Sequence, residues 1–233
     1  MTSLITPPRM RGVEYLDAPG IDPRVVRRSL ADVALANSLF GGTRAVLLEL
    51  AALLPRLAPR ATLLDVGSGI GDIAARARDL AGHSGVDLTL VTIDRAETLA
   101  AASRARSGNA VCGDATVLPF ADRSVDVVIC SQTLHHFDDT RAGAVVRELD
   151  RVARVRVIVA DLRRSWIAAA GLWCASFPLR FHPVSRHDGV VSIMRGYTTH
   201  ELRRLVTAAL GRPPVVRRRM GWRVTASWCP EAA

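Results

Sequence analysis

From residue 60 onward the hydrophobic positions alternate between two periods. Near-continuous apolar runs read as strands: TLLDV (62–66), DLTLVTI (87–93), NAVCG (109–113), VDVVICS (125–131) and VRVIVAD (155–161). Between them, segments opening near Gly71, Ala96 and Asp139 read as helices. Strands without polar alternation, separated by helices, predict a parallel sheet covered on both faces. The last part differs. A helix is expected from about Thr199 to Leu210, then VVRRR and WRVTASW form an antiparallel hairpin turned at Gly221. There is no internal repeat.

Before residue 60 the pattern is helical. Residues 1–20 are punctuated by Pro and Gly and read as loose. Asp22-Pro23 opens a helix, with Asp as cap and Pro at the first helical position. Its apolar residues Val25, Val26, Leu30, Val33, Leu35 and Leu39 recur near helical spacing, Gly41-Gly42 ends it, and Thr43 is placed to cap a second helix. Residues 165–181, SWIAAAGLWCASFPLRF, interrupt the alternation with two of the four Trp and almost no charge. The stretch is too short to span a bilayer and contains Pro178. A packed helix, a lid over an apolar substrate and an interfacial patch all fit it, and a lid or pocket wall is preferred. The organisation expected is an N-terminal helical extension over 1–58 that caps the site. The main domain then runs over 59–233, with a helical lid inserted near 163–197.

The chemistry starts at LLDVGSGIGD, 63–72, where an apolar strand runs into glycines at 67, 69 and 71. Such a turn lets a ligand lie against bare backbone at a helix N-terminus. A dinucleotide fingerprint needs Gly at the sixth place of GxGxxG, and here that place is Asp72. An acidic residue in the turn also repels pyrophosphate. No Gly-Lys-Ser/Thr follows for a P-loop, and Ser68 is misplaced for a nucleophile elbow. The turn therefore calls for a ligand without phosphate.

D-x-G-x-G-x-G after the first strand resembles motif I of the class I S-adenosylmethionine (SAM) dependent methyltransferases. The resemblance continues through Asp94 in VTIDRA, Gly113-Asp114-Ala115, LPFADRSVDVVICSQTLHHF and RELDRVARVRVIVADLRRS, over roughly residues 60 to 165. It implies a Rossmann-like, doubly wound α/β/α fold, mostly parallel with an antiparallel C-terminal hairpin strand. It also implies SAM as cofactor, with Asp94 on the ribose hydroxyls, Asp114 at the adenine amino group, and Gly113 and Ala115 beside the ring. Asp65, Gly67, Ser68, Gly69, Arg95, Ser131 and Gln132 complete the expected cofactor set. Taken singly, Asp94 could be a polar strand end and Asp114 a turn former. Their joint order argues against coincidence. One departure stands out: the family's L-x-P-G-G before the fifth strand is replaced by RVARVRVIVA.

Methyl transfer from a sulfonium needs alignment and exclusion of water. Acceptors such as phenols also gain from a base, typically by ~10²–10⁴-fold. His135 and His187 are the candidate bases. His136, Trp166, Trp173 and Arg186 are placed at the acceptor pocket, and no metal ligand set is expected. The segments ANSLFGG and SRHDGVVSIMRGYTTHEL, the latter read as an acceptor-pocket loop leading into the last helix, resemble methyltransferases of quinone and aromatic-polyketide (phenolic lipid) pathways. That favours a small, apolar, aromatic or phenolic acceptor, with O-methylation preferred over C-methylation.

Composition adds limits. The 233 residues suit one α/β domain with decoration, and 49% hydrophobic content supports a sizeable core. The net charge of +9, all from Arg, keeps nucleic acid and anionic membranes in play. A nucleic-acid (RNA) methyltransferase and a SAM-binding protein without turnover are the alternatives. SQTLHHF lacks the Asn/Asp-Pro-Pro-aromatic pattern of amino-group methylation, and no basic run is interleaved with aromatics, so no specific nucleic acid is expected. Weak membrane-surface contact, a monomer or homodimer, and a cytoplasmic location are expected, since MTSLITPPRMRG lacks an apolar signal core. Cys112 and Cys130, in strand-like runs, are expected as buried thiols.

Overall fold

The computed structural model describes residues 6–10, 12–18 and 20–231. The N-terminal stretch read as loose and lacking a signal core lies partly outside the described residues. Seven strands form one sheet: β1 (Arg60–Val66), β2 (Asp87–Asp94), β3 (Asn109–Cys112), β4 (Val125–Ser131), β5 (Ala153–Leu162), β6 (Val215–Arg219) and β7 (Arg223–Trp228). Their order is β3-β2-β1-β4-β5-β7-β6. The first five are parallel, and β7 pairs antiparallel with both β5 and β6. The doubly wound sheet with its antiparallel hairpin is as expected.

The helices are α1 (Pro23–Leu39), α2 (Gly42–Ala51), α3 (Asp72–His83), α4 (Glu97–Ser107), α5 (Asp139–Val152), α6 (Trp166–Ser176), α7 (Pro183–Arg195) and α8 (Thr199–Leu210). Successive strand residues point to opposite faces, which divides the core in two. Leu64, Val66, Val128, Cys130, Val157 and Val159 pack against Val145, Val146 and Leu149 of α5 and Leu202 and Val206 of α8. Leu63, Leu88, Leu90, Val127, Ile129 and Ile158 pack on the other side against Val46 and Leu50 of α2 and Ala74 and Ala77 of α3. Within segment 1–58, α2 thus belongs to the layer covering the sheet.

Several local expectations are corrected. The N-cap of α2 is Gly41 in a left-handed conformation, not Thr43, whose hydroxyl is buried without a partner. A Cβ on Gly41 would meet the Met220 carbonyl at 2.8 Å, and one on Gly221 the Phe40 carbonyl at 2.0 Å. The glycines are there to let the hairpin turn and the α1–α2 corner touch. In α1, Asp22 does cap, accepting from Arg24 N at 2.7 Å. The buried residues of α1, however, are Ser29, Asp32 and Asn37, while Val33, Leu35 and Leu39 are exposed. The polar side turns inward because Asp32 accepts from His182 N and Ser185 Oγ, at 2.7 and 2.9 Å. Where a loop was read over SRHDGVVSIMR, the chain forms α7, with Pro183 at its first position and His182 as cap. The missing Gly turn before β5 is absorbed by a register shift between Val125 and Val127, and α5 runs straight into the strand. Cys130 is buried but Cys112 is exposed at the end of the short β3.

Candidate functional site

The sheet reverses its winding between β1 and β4, and in such sheets ligands bind outside the carboxyl ends of the strands at that point. A cavity of about 920 Å³ opens there. Its polar half is the glycine turn and the ends of β2 and β3. Gly67 N and Ser68 N both donate to the Ile93 carbonyl, at 2.9 and 3.2 Å, and Gly113 N donates to the Asp94 carbonyl at 3.0 Å. The three strand ends are thereby stitched into one rim. Gly67, Gly69 and Gly71 all have positive φ, at 71°, 54° and 74°. Only Gly fits at 67, where a Cβ would lie 2.3 Å from Thr133 Oγ1. At Gly69 a Cβ would meet nothing within 4 Å, because the space in front of it is the cavity.

Charge at this turn is acidic. Asp65 is buried, its Oδ2 lacks a partner, and burial, then repulsion from Asp72 and Asp94, pushes its pKa up to about 8. Burial likewise raises Asp94, against the pull of backbone N–H groups of Ala96 and Gly69 on its two oxygens. Each of those oxygens retains a second lone pair for a ligand hydroxyl. Ser68 Oγ, Asp72 Oδ2 and Ser131 Oγ are also buried without partners. Three clustered acidic side chains, of which Asp65 holds its proton up to about pH 8, and an uncovered glycine backbone fit a cation without phosphate, which is the charge SAM carries on its sulfonium and ammonium groups.

Of the residues expected at the cofactor, Gly67, Ser68, Gly69, Asp94, Arg95, Gly113, Asp114, Ala115, Ser131 and Gln132 line the cavity, and Asp65 lies behind its wall. Asp114 spends one oxygen on Thr116 N and Oγ1, at 2.8 and 2.7 Å, and these bonds lower its pKa. Gln132, at φ 52°, reaches α1 through Asn37 Oδ1 at 2.6 Å.

The other half of the cavity is apolar: Val26, Leu30 and Val33 of α1, Leu172 of α6, Phe181 and Ile193. His135 and His136 stand between the halves, their rings 4.3 Å apart. His135 is buried and its Nδ1 lies 2.6 Å from Asp161 Oδ1 at the end of β5. Asp161 also accepts from His135 N and Leu162 N. A carboxylate loaded with donors in this way places the ring proton on Nδ1 and leaves Nε2 a bare lone pair, and among the described residues no group bonds that atom. Crowding by the surrounding protein, then His135, Arg195 and Arg95, push the pKa of His136 down, although its side chain is about a third exposed and Glu14 lies 3.8 Å from its Nδ1. Glu14, His135 and His136 bring one ligand atom each within 4.8 Å of one another. Arg195, 2.8 Å from Glu14, already supplies the positive charge a cation would bring.

Four expected site residues lie elsewhere. His187, Trp166, Trp173 and Arg186 do not line the cavity. On α7 the inward face is Ser185, Gly189, Ser192 and Ile193, which turns His187 outward to stack on Tyr15 at 4.1 Å. On α6 the inward face is Ile167, Ala168, Gly171 and Leu172. The helix is apolar all round, so its pattern does not reveal which side faces in. Arg186 instead lies over Phe177 and Trp173, 3.8 and 5.5 Å from their centroids. Asp161, Glu14 and Asn37 were missed. Asp161 had a signal, as the acidic residue directly after the apolar run VIVA of β5, whereas Glu14 and Asn37 had none.

A parallel sheet wound 3-2-1-4-5 with a glycine-lined, acidic cradle at its switch point defines a nucleoside-binding α/β domain of the methyltransferase kind. The methyltransferase domain family matches residues 64–160. A demethylmenaquinone methyltransferase from Roseiflexus sp. (strain RS-1) is 33% identical over 186 residues, covering 74% of this chain and 71% of the relative. A ubiquinone/menaquinone biosynthesis C-methyltransferase from Roseobacter denitrificans is 38% identical over 109 residues, 44% of this chain and 43% of its own. Most of the curated relatives first matched are covered over less than half their length. A SAM-dependent methyltransferase from Aquifex aeolicus shares the fold with a TM-score of 0.59 and 17% identity, over 91% of this chain and all of the other. The chain belongs to the SAM-dependent methyltransferases, and SAM is the cofactor of that family. Among the described residues no single helix is long and apolar enough to cross a membrane.

Proposed function

We propose that this protein transfers the methyl group of SAM to a hydroxylated aromatic ring carrying an apolar substituent, with His135 as general base. The observation that carries the reading is the bare His135 Nε2, fixed by Asp161 behind it, between an acidic glycine cradle and an apolar half-cavity. Bound at the cradle, SAM would supply an electrophilic methyl group and leave as a neutral thioether. Gly67, Gly69, Asp94 and the unpartnered Ser68, Asp72 and Ser131 hold that end. Helix α1, Leu172 and Phe181 close over the acceptor and keep water out. Nε2 is buried, with the His136 ring 4.3 Å from that of His135, so the acceptor hydroxyl reaches it only if a neighbouring side chain such as His136 moves aside. The hydroxyl proton passes to Nε2, leaving a phenolate that is nucleophilic at oxygen and at the adjacent ring carbon. The sequence favours oxygen. The C-methyltransferase activity of the Roseobacter relative supports carbon, which we adopt, the ring hydrogen leaving as a proton when aromaticity returns.

The test is incubation of the protein with isotopically labelled SAM and a panel of alkylated phenols and hydroquinones, read by mass spectrometry and NMR. Label on a ring carbon is expected. Label on oxygen would correct the regiochemistry, and label only on RNA in a parallel arm would overturn the reading.

A further inference from the structure

Helix α6 is apolar along its whole length and only partly covered. Its uncharged sequence WIAAAGLWCAS turns Trp166 and Trp173 outward, and Phe177 follows on the same side, all about half exposed. A buried helix would hide such residues, and a solvent-facing one would replace them with charges. Trp and Phe are the side chains that settle at a membrane–water boundary. The charge beside it is mainly positive: Arg163, Arg180 and Arg186 fall in a stretch without an acidic residue between Asp161 and Asp188, where Arg164 is buried against Glu201. Arg24, Arg27 and Arg28 of the neighbouring α1 are exposed, and Arg28 donates to the Arg180 carbonyl at 2.7 Å, which joins the two rims. Arg186 over Trp173 and Phe177 holds the aromatic cluster in one arrangement.

We propose that α6 and the loop after it dock the protein onto an anionic lipid bilayer. The same helix lines the cavity through Ile167, Gly171 and Leu172, so docking sets the apolar half of the cavity beside the lipid. A lipid-dissolved acceptor then enters without crossing water. This last step rests on the proposed acceptor chemistry; the docking does not.

The experiment is co-sedimentation of the full chain with vesicles of phosphatidylglycerol and phosphatidylcholine, without SAM or acceptor, at several salt concentrations. Binding is expected to require the anionic lipid and to weaken with salt. Trp166→Ser, Trp173→Ser and Phe177→Ser combined should lower it by about tenfold or more while thermal stability is kept. Replacing Arg24, Arg27 and Arg28 with Gln tests the charged rim in residues outside the aromatic cluster and should also weaken binding. Wild-type protein that stays in the supernatant, or a triple Ser variant that sediments equally, overturns the proposal. So does a wild-type dimer that the triple variant turns into a monomer, since a second copy would then cover the helix. Vesicle binding together with no methyl transfer to any acceptor would refute the proposed function and leave the docking standing.

Discussion

Replacing Asp161 with Asn tests the base most sharply. Asp161 is fully buried and accepts from His135 Nδ1 at 2.6 Å, from His135 N at 3.2 Å and from Leu162 N at 2.7 Å. An Asn of the same shape removes the negative charge that stabilises the imidazolium formed when Nε2 takes the acceptor proton, and it leaves one of the donors His135 N, His135 Nδ1 and Leu162 N facing an NH2. General-base assistance is typically worth ~10²–10⁴-fold, so kcat should fall by about that much, equivalent to ~3–5 kcal/mol of barrier. KM for the acceptor and Kd for SAM should change little, because Asp161 touches neither half of the cavity. The carboxylate also sits in the field of the buried Arg223. Removing it therefore costs stability, ~3 kcal/mol by the usual scale of a broken buried pair. Assays belong well below the Tm of the variant, with SAM affinity by calorimetry as the check on folding. His135→Gln keeps Asp161 and should lose kcat to the same extent. In both variants an acceptor already ionised at the assay pH should recover much of the rate, which a purely structural role would not produce. Folded, SAM-binding variants with kcat within about threefold of wild type would refute the assignment.

Gly69→Val places its side chain in open cavity, so the fold should survive at ~1–3 kcal/mol of backbone strain while SAM affinity drops by about 100-fold or more; calorimetry decides. Asp65, raised to about pKa 8, is protonated in the folded protein but ionised in the unfolded chain between about pH 4 and 8, so the native state binds the extra proton. Stability should therefore decline as pH rises through that window, by at most ~1.4 kcal/mol per unit, and Asp65→Asn should remove that slope in urea denaturation series. Leu172→Ala should raise the acceptor KM by about tenfold and leave SAM affinity alone, since the side chain faces only the apolar half.

The sequence by itself determined the strand–helix alternation, the glycine turn and the order of the cofactor motifs. Those features are local: an apolar run of five to seven residues makes a buried strand, and a left-handed turn facing a ligand demands Gly wherever it sits. It also narrowed the ligand, because Asp72 in the turn excludes phosphate without any knowledge of the neighbours. The tertiary structure decided the orientation of each helix in the acceptor half. α6 is apolar on every side, so nothing in its period distinguishes Leu172, which faces the cavity, from Trp173, which faces outward. In α1 the apolar positions at helical spacing are legible, and Val26, Leu30 and Val33 do line the cavity, but nothing local shows that Asp32 and Asn37 are held inward by partners 150 and 95 residues away. The Asp161–His135 pair had the same obstacle. Each residue is visible in its own strand end or turn, but only the pairing of β4 with β5 brings Nδ1 within 2.6 Å of the carboxylate and so determines which nitrogen is bare.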